Sequence, residues 1–291
     1  MFEEDCRQAE EAWSSLNSGK MSYRRNKDGV LYIEADGAAL NTRHRDNNNS
    51  TWRENKLGVV FSSDNIRVWT DKHGNRQHKI QKREYTSYIG NVSEFKKHLL
   101  ACAIRNGYGL YKGTVLLSDG AAWIRNMKEE LFPDAQQILD YYHLCENVYA
   151  FARHIFDMNE SKYQPWAKDI CQALKRSETG PVMNEIKSHT VKTGDSSSVD
   201  LYGYISNNMN NIDYKIYEEK GYFIGSGAIE SGNKIVFQRR LKQAGMRWNT
   251  RSAQNILTLV AKHASNLWLR DVTLFIHKHY NCLSAIESFS A

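Results

Sequence analysis

The chain has 291 residues, enough to bury one elaborated core or two smaller ones. Its net charge of +6, from 39 Lys and Arg against 33 Asp and Glu, favours a polyanionic partner but is also common in proteins that never meet nucleic acid. No apolar run approaches the roughly 18 residues of a membrane span, the N-terminus is acidic where a signal peptide is basic, and the five cysteines form no CxxC pair. We therefore expect a cytoplasmic protein with reduced thiols and no membrane partner.

The first part of the sequence predicts a polar helix and connector, residues 1–28, followed by strands. The run VLYIEADGAAL (30–40) has the β-branched and aromatic content of a strand, and the turn signal Asp36-Gly37 predicts its end. Further strands are predicted in KLGVVFSS (56–63) and QKREYTSYIG (81–90).

An alternation of helices and strands follows. The predicted elements are an amphipathic helix at 91–107 capped by Asn91 or Ser93, a strand GTVLLSDGAAW that ends at Asp119-Gly120, a helix at 122–131, a strand AQQILDYYH (135–143) and a helix from about Leu144. Such alternation implies parallel strands joined by right-handed helical crossovers.

Helical periodicity dominates residues 144–222, which we interpret as a helical insertion containing the linker KTGDSSSVD. From Ser226 to about His279 long helices return, and their apolar positions, including Leu257 and Leu269, are expected to pack on the α/β part.

Two aspartates and one glutamate are the candidates for chemistry. Asp36 and Asp119 each end a predicted strand, and two such carboxylates on neighbouring strands need a divalent cation such as Mg²⁺ or Mn²⁺ between them. Glu230, on a later helix, would complete a two-metal site. The alternatives are that both Asp-Gly pairs are structural turns and that Glu230 only complements the helix dipole.

A basic run follows Glu230. From Ser231 to Arg251 the sequence has six cations and no acid, and we expect these residues to bind DNA phosphates: Lys234, Arg239, Arg240, Lys242, Arg247 and Arg251.

These segments together resemble a known family. The string YIEADG…WRENKLGVVF…LLSDGAAWI…ELFPDAQQILDYYH…IGSGAIESGNK…QRRLKQAGMRW is similar to insertion-sequence transposases of the DDE class, of the ISKra type and related to the ISLre type. The resemblance runs from about residue 30 to 265. It implies an α/β, RNase H-like mixed sheet with flanking helices, interrupted by an all-helical insertion before the last catalytic helix. The implied segments are 29–143 and 223–291 for the core and its helical tail, and 144–222 for the insertion.

The resemblance also implies roles. Asp36, Asp119 and Glu230 would be the three acids, which hold two Mg²⁺ or Mn²⁺ ions. Asp140 and His143 fit the D-x-x-H signature of related transposases and would support the site. For His143 the alternative is a structural histidine at a helix start.

Two positions depart from the family pattern. Many DDE enzymes carry Lys or Arg seven residues after the glutamate, where this chain has Phe237. Lys234, or Arg239 with Arg240, would then bind the phosphates instead. Only about 30 residues precede the first predicted strand, so we expect the N-terminal DNA-binding region to be missing.

The implied function is phosphodiester hydrolysis and strand transfer at transposon ends. Its partners would be double-stranded DNA, as transposon ends and target, and further copies of the chain assembled on that DNA. The alternatives are a stand-alone RNase H-like nuclease, an inactive DNA-binding remnant of a transposase and, more distantly, a metal-independent glycosidase with paired carboxylates.

Overall fold

The computed structural model describes residues 2–74, 76–193 and 200–268. The strands are β1 (Lys27–Asn41), β2 (Trp52–Ser62), β3 (Ile66–Thr70), β4 (Arg76–Ile80), β5 (Glu84–Ile89), β6 (Tyr111–Ser118) and β7 (Gln136–Leu139). The helices are α1 (Phe2–Asn17), α2 (Val92–Arg105), α3 (Ala122–Leu131), α4 (Tyr141–Ile155), α5 (Glu160–Lys175), α6 (Thr179–Thr193), α7 (Leu201–Asn207), α8 (Tyr214–Glu219), α9 (Gly227–Gly232), α10 (Arg239–Leu241) and α11 (Thr250–Ala264). A π-helical segment, Asn233–Gln238, joins α9 to α10.

The central element is a five-stranded mixed sheet in the order β5-β2-β1-β6-β7. β1 and β5 both run antiparallel to β2, and β6 and β7 are parallel. With helices flanking this sheet, the predicted α/β fold class is confirmed and is consistent with an RNase H-like fold. The alternation of strands and helices predicted parallel strands, and this is correct for β6 and β7. β1 and β2, which follow each other in the chain, pair antiparallel.

The predicted end of the first strand at Asp36-Gly37 is wrong. β1 continues to Asn41 because its ladder with β2 is unbroken from Leu31 to Asn41, and Asp36 lies opposite Leu57 in the middle of it. Gly37 does not adopt a positive φ; a Cβ there would collide with the side chain of Glu54. The glycine thus permits a close approach rather than a turn.

A hairpin that the sequence did not predict joins β2 to β5. β3 and β4 pair antiparallel from Ile66↔Ile80 to Thr70↔Arg76 and form a separate two-stranded sheet. Four of the five β3 residues are exposed. A strand with both faces in water lacks the alternation of apolar and polar residues by which strands are recognised.

The described residues fall into two compact units, one ending at Thr114 and resuming at Ala228, the other comprising Val115–Gly227. In the first unit α11 packs on β5. Gln254 accepts the N–H of Ile89 at 2.7 Å and donates to the carbonyl of Ser87 at 3.0 Å, while Leu257 is fully buried. The expected packing of the last helices is confirmed for α11, and Leu269 lies outside the described residues.

Helix α1 docks on α2 of the same unit through a buried histidine. The ring of His98 stacks 6.0 Å from that of Phe2 and 5.4 Å from that of Tyr88. Burial lowers the pKa of His98; the nearby carboxylates act in the opposite direction and Arg105 in the same one. Those carboxylates are Asp5, Glu94 and Glu10. His98 is therefore held neutral inside the unit.

The second unit contains the parallel strand ends and a group of helices. Its described residues from Tyr141 to Glu219 form helices and no strand. Residues 194–199 of the predicted linker lie outside the described part. No described helix combines the length and apolar character that crossing a bilayer requires.

Candidate functional site

In the first unit, two acids of β1 face the helix that carries Glu230. Residues two apart in a strand project from the same face, which puts Glu34 and Asp36 side by side. Glu34 is 1% exposed and accepts the N–H of Ile229 at 2.7 Å. That N–H lies in the first turn of α9, where backbone donors lack partners within the helix and carry partial positive charge. Glu34 therefore anchors the helix start on the sheet.

One helical turn further on, Asn233 anchors the same helix to Asp36. Its Nδ2 donates to Oδ2 of Asp36, whose Oδ1 accepts the N–H of Gly37 at 2.7 Å. Asn233 is 5% exposed, and its Oδ1 is buried without a hydrogen-bond partner among the described residues. Glu230 is exposed and lies between the two anchors, Ile229 and Asn233. We call Glu34, Asp36, Glu230 and Asn233 the β1 cluster.

The π-helical segment follows directly. Phe237, seven residues after Glu230, is fully buried, whereas Lys234 is exposed. A π segment inserted in an α-helix often marks a functional site. Phe237 is thus a core residue and takes no part in a site on the surface.

The six cations of the basic run are all exposed, and none forms an ion pair with an acid in the described part of the chain. The run returns to the end of β1, since Trp248 donates its N–H to the carbonyl of Asn41 at 3.1 Å and accepts the N–H of Arg43 at 2.8 Å. Its indole Nε1 donates to the carbonyl of Leu241 at 3.1 Å. These contacts fix the loop that bears Lys242 and Arg247.

In the second unit, two other aspartates follow neighbouring parallel strands. Ser118 of β6 is paired with Leu139 of β7, and the N–H of Asp140 donates to the carbonyl of Ser118 at 2.8 Å. Asp119 and Asp140 therefore occupy adjacent strand ends at the carboxyl edge, the usual place for ligand-binding residues in such sheets. We call Asp119, Asp140, Tyr204 and Ser226 the strand-end cluster.

Asp140 is an anchor within that cluster. It is 1% exposed, and its Oδ1 accepts the N–H groups of Tyr142 at 2.7 Å and His143 at 3.1 Å. Its Oδ2 accepts the N–H of Ser226 at 3.0 Å and also its hydroxyl. The carboxylate thus caps α4 and fixes the residue before Gly227.

Asp119 is half-buried and less constrained. Its Oδ1 accepts the N–H of Ala121 at 2.9 Å, and its carbonyl accepts the hydroxyl of Tyr204 at 2.6 Å. Burial, then the charges of Asp119 and Asp140, raise the pKa of Tyr204. Tyr204 is therefore a neutral donor beside these acids. His143 is exposed, with Nδ1 3.4 Å from a carboxylate oxygen of Glu146.

The carboxylate oxygens of the three predicted metal ligands suit Mg²⁺ or Mn²⁺, which prefer oxygen donors. The first unit contains Asp36 and Glu230, and the second contains Asp119. Across residues 2–74, 76–193 and 200–268, no group of three or more His, Cys, Asp or Glu side chains is arranged to hold a metal ion. The donor chemistry of the three acids fits these ions.

Sequence reasoning missed Glu34, Asn233 and Ser226. Two of them had a periodic signal, since Glu34 is two strand residues before Asp36 and Asn233 is three helix residues after Glu230. Ser226 had no such signal, because its partner Asp140 is 86 residues away.

The fold and these clusters define an α/β protein with a mixed sheet and acids placed on its strands and on a helix packed against it. The chain belongs to the uncharacterised protein family UPF0236, whose model matches residues 9–277. No curated protein matches the chain.

Proposed function

We propose that the chain is the catalytic part of a DNA transposase of the DDE class, of the ISKra type, which hydrolyses phosphodiester bonds and transfers strands at transposon ends. The observation that carries the proposal is the contact between Asp36 and Asn233. It attaches a sheet acid to the helix turn that carries Glu230. Membership of a family commonly associated with transposase-like proteins supports it.

Asp36, Asp119 and Glu230 would hold two Mg²⁺ or Mn²⁺ ions. Such ions, when bound, activate the attacking water or 3′-hydroxyl and stabilise the leaving oxygen. Glu34 and Asn233 would position Glu230, since they fix the residues on either side of it. Asp140 would position the chain before that helix through Ser226.

The exposed cations after Glu230 would bind the DNA backbone. Lys234 lies one turn after Glu230 on the same helix, and Arg239 and Arg240 begin α10. Their charge has no acidic counterpart in the described residues, which leaves it for phosphates. In the cell we propose a cytoplasmic protein that assembles as a homo-oligomer on double-stranded DNA.

The test is nicking of supercoiled plasmid by the purified chain in Mg²⁺ or Mn²⁺. We expect Asp36→Asn, Asp119→Asn and Glu230→Gln each to lower the nicking rate by at least about 100-fold, the scale of losing essential electrostatic stabilisation. Binding to a labelled duplex should change little. Glu219→Gln, at an exposed acid of α8, is the matched control. Retained nicking in any one of the three variants would exclude that acid from the site.

A strand-transfer assay with linear DNA ends then separates a transposase from a stand-alone nuclease. Only the transposase joins an end to a target molecule. A nuclease of the same fold would release fragments and form no joined product.

One observation favours a second candidate, a DNA-binding protein without catalysis. Both carboxylate oxygens of Asp36 already accept hydrogen bonds, one from Asn233 and one from Gly37. If this arrangement persists with metal present, Asp36 has reduced capacity as a ligand. Duplex binding by the wild-type chain without nicking in either metal would support this candidate.

A further inference from the structure

The hairpin of β3 and β4 is a basic ribbon that the proposed chemistry does not use. Between Ile66 and Arg83 the sequence has six Lys or Arg and one acid, Asp71, so 18 residues carry a formal charge of +5. Asp71 is engaged in the turn, where it accepts the N–H of His73 at 2.9 Å and Nε2 of Gln77 at 3.0 Å. The ribbon therefore presents positive charge.

Two of its cations directly oppose each other. The ladder pairs Arg67 with Lys79 and Trp69 with Gln77, and these four side chains project from one face because residues two apart in a strand share a face. Directly opposed side chains have Cβ atoms about 4.5 to 5.5 Å apart, and like charges there destabilise a hairpin. Neither Arg67 nor Lys79 forms an ion pair with an acid in the described residues. An anion between them would remove the repulsion.

The ribbon is also open on both faces. Arg67, Val68, Trp69 and Thr70 are all exposed, with Val68 at 47% and Trp69 at 41%. An isolated two-stranded hairpin is only marginally stable in water. A strand of five residues is about 17 Å long, and the DNA major groove, about 12 Å wide, admits a two-stranded ribbon.

We propose that the β3–β4 ribbon is a docking element for double-stranded DNA, with Arg67 and Lys79 binding backbone phosphates and Trp69 lying against the duplex. The inference rests on the proposed function in that its ligand is DNA. It adds a second contact surface, separate in sequence from the basic run that follows Glu230.

The test is fluorescence anisotropy of a labelled 25-bp duplex with the full chain in EDTA, from 50 to 200 mM salt. Each phosphate contact contributes about 0.9 to the slope of log K against log salt. We expect Arg67→Gln with Lys79→Gln to make the slope shallower by about 2 and to weaken binding about tenfold at 100 mM salt. Each single substitution should give about half of the slope change.

The matched control is Lys162→Gln with Lys168→Gln, which removes the same charge from two exposed positions of α5. It should bind within about twofold of the wild type. Neither double variant should melt below the wild type, since all four side chains are exposed and the ribbon variant loses only a repulsion. If the ribbon variant binds DNA as the control does, the ribbon inference is overturned, whatever else the ribbon binds.

The two proposals can fail separately. Because the binding assay contains EDTA, it does not depend on metal or on catalysis. Equal binding of ribbon and control variants, together with loss of nicking in Asp36→Asn, would overturn the ribbon alone. Loss of binding in the ribbon variant with full nicking by Asp36→Asn would overturn the proposed site and leave the ribbon.

Discussion

Replacing Asn233 by Asp should turn the contact that holds the helix on β1 into a repulsive one. Asn233 is 5% exposed and donates to Asp36, so the substitution removes a hydrogen bond to a charged acceptor, worth about 1.5 to 3 kcal/mol. Two carboxylates about 4 Å apart repel by about 4 kcal/mol at an effective dielectric constant of about 20. We expect Asn233→Asp to lower the free energy of unfolding by about 5.5 to 7 kcal/mol at pH 7 in EDTA.

The pH dependence gives this prediction a signature. Like-charge repulsion between Asp36 and the introduced carboxylate raises their folded-state pKa above that of an unfolded carboxyl, so the pair takes up a proton more readily when folded. The penalty is therefore greatest at high pH and shrinks as pH falls towards 5. Asn233→Ala is the control: it loses the hydrogen bond without adding charge, costs about 2 kcal/mol and shows no such trend.

Urea unfolding followed by far-UV circular dichroism at pH 7.5 and 5.5 measures both variants. The predicted repulsion is refuted if Asn233→Asp is no less stable than Asn233→Ala at pH 7.5. Facing carboxylates also attract divalent cations, so 10 mM Mg²⁺ should stabilise Asn233→Asp. With a dissociation constant of about 1 mM the gain is about 1.4 kcal/mol. Mg²⁺ at 10 mM should stabilise Asn233→Ala by less than this amount, because that variant has no second carboxylate.

Three further predictions concern stability. Asp140→Ala should lower the free energy of unfolding by about 3 to 5 kcal/mol because it leaves buried N–H and O–H donors without an acceptor. His143→Ala, at an exposed position, should change it by no more than about 0.5 kcal/mol. The lowered pKa of His98 means that the unfolded chain protonates first, so stability is lost as pH falls below about 6.5, and His98→Phe should remove this loss. Gly232→Ala should cost about 1 to 3 kcal/mol, since its Cβ would lie 2.5 Å from a buried ring, whereas Gly227→Ala should be nearly neutral.

Urea unfolding measures all three, with the paired variants as controls. Equal costs for Asp140→Ala and His143→Ala would contradict the anchoring role of the aspartate. If the free energy of unfolding of His98→Phe falls between pH 6.5 and 5 as steeply as that of the wild type, then groups other than His98 cause the fall. Gly232→Ala as stable as Gly227→Ala would show that the helix can move away from the sheet.

The sequence predicted most elements because their signals are local. α3 begins and ends at the predicted residues, and Asn91 caps α2 by accepting the N–H of Glu94. The course of β1 was not predictable in the same way. Asp36-Gly37 is a turn signal, and only the ladder with β2, a long-range interaction, carries the strand through it.

The same distinction between local signals and long-range contacts applies to the candidate site. Asp36, Asp119 and Glu230 were predicted as site residues from residue type and position, while their surroundings depend on contacts between distant segments. The residue that touches Asp36 is 197 positions away, and the one fixed by Asp140 is 86 away. No periodic pattern in one sequence reports such separations.

The π-helical segment changes how residues in this helix should be counted. A single π turn is equivalent to one extra residue in an α-helix, which rotates everything after it by about 100°. In this helix the residue seven positions after Glu230 is Phe237, which lies in the core. The residue eight positions after it is Gln238, which is exposed and, because of the extra residue, takes the place that the seventh would have in a regular α-helix. Deleting one residue between 233 and 238 would restore an α-helical phase, turn Phe237 towards water and swing Arg239 and Arg240 around the helix axis. In an alignment, a gap placed within this segment would bring chains with and without the extra residue into the same structural frame.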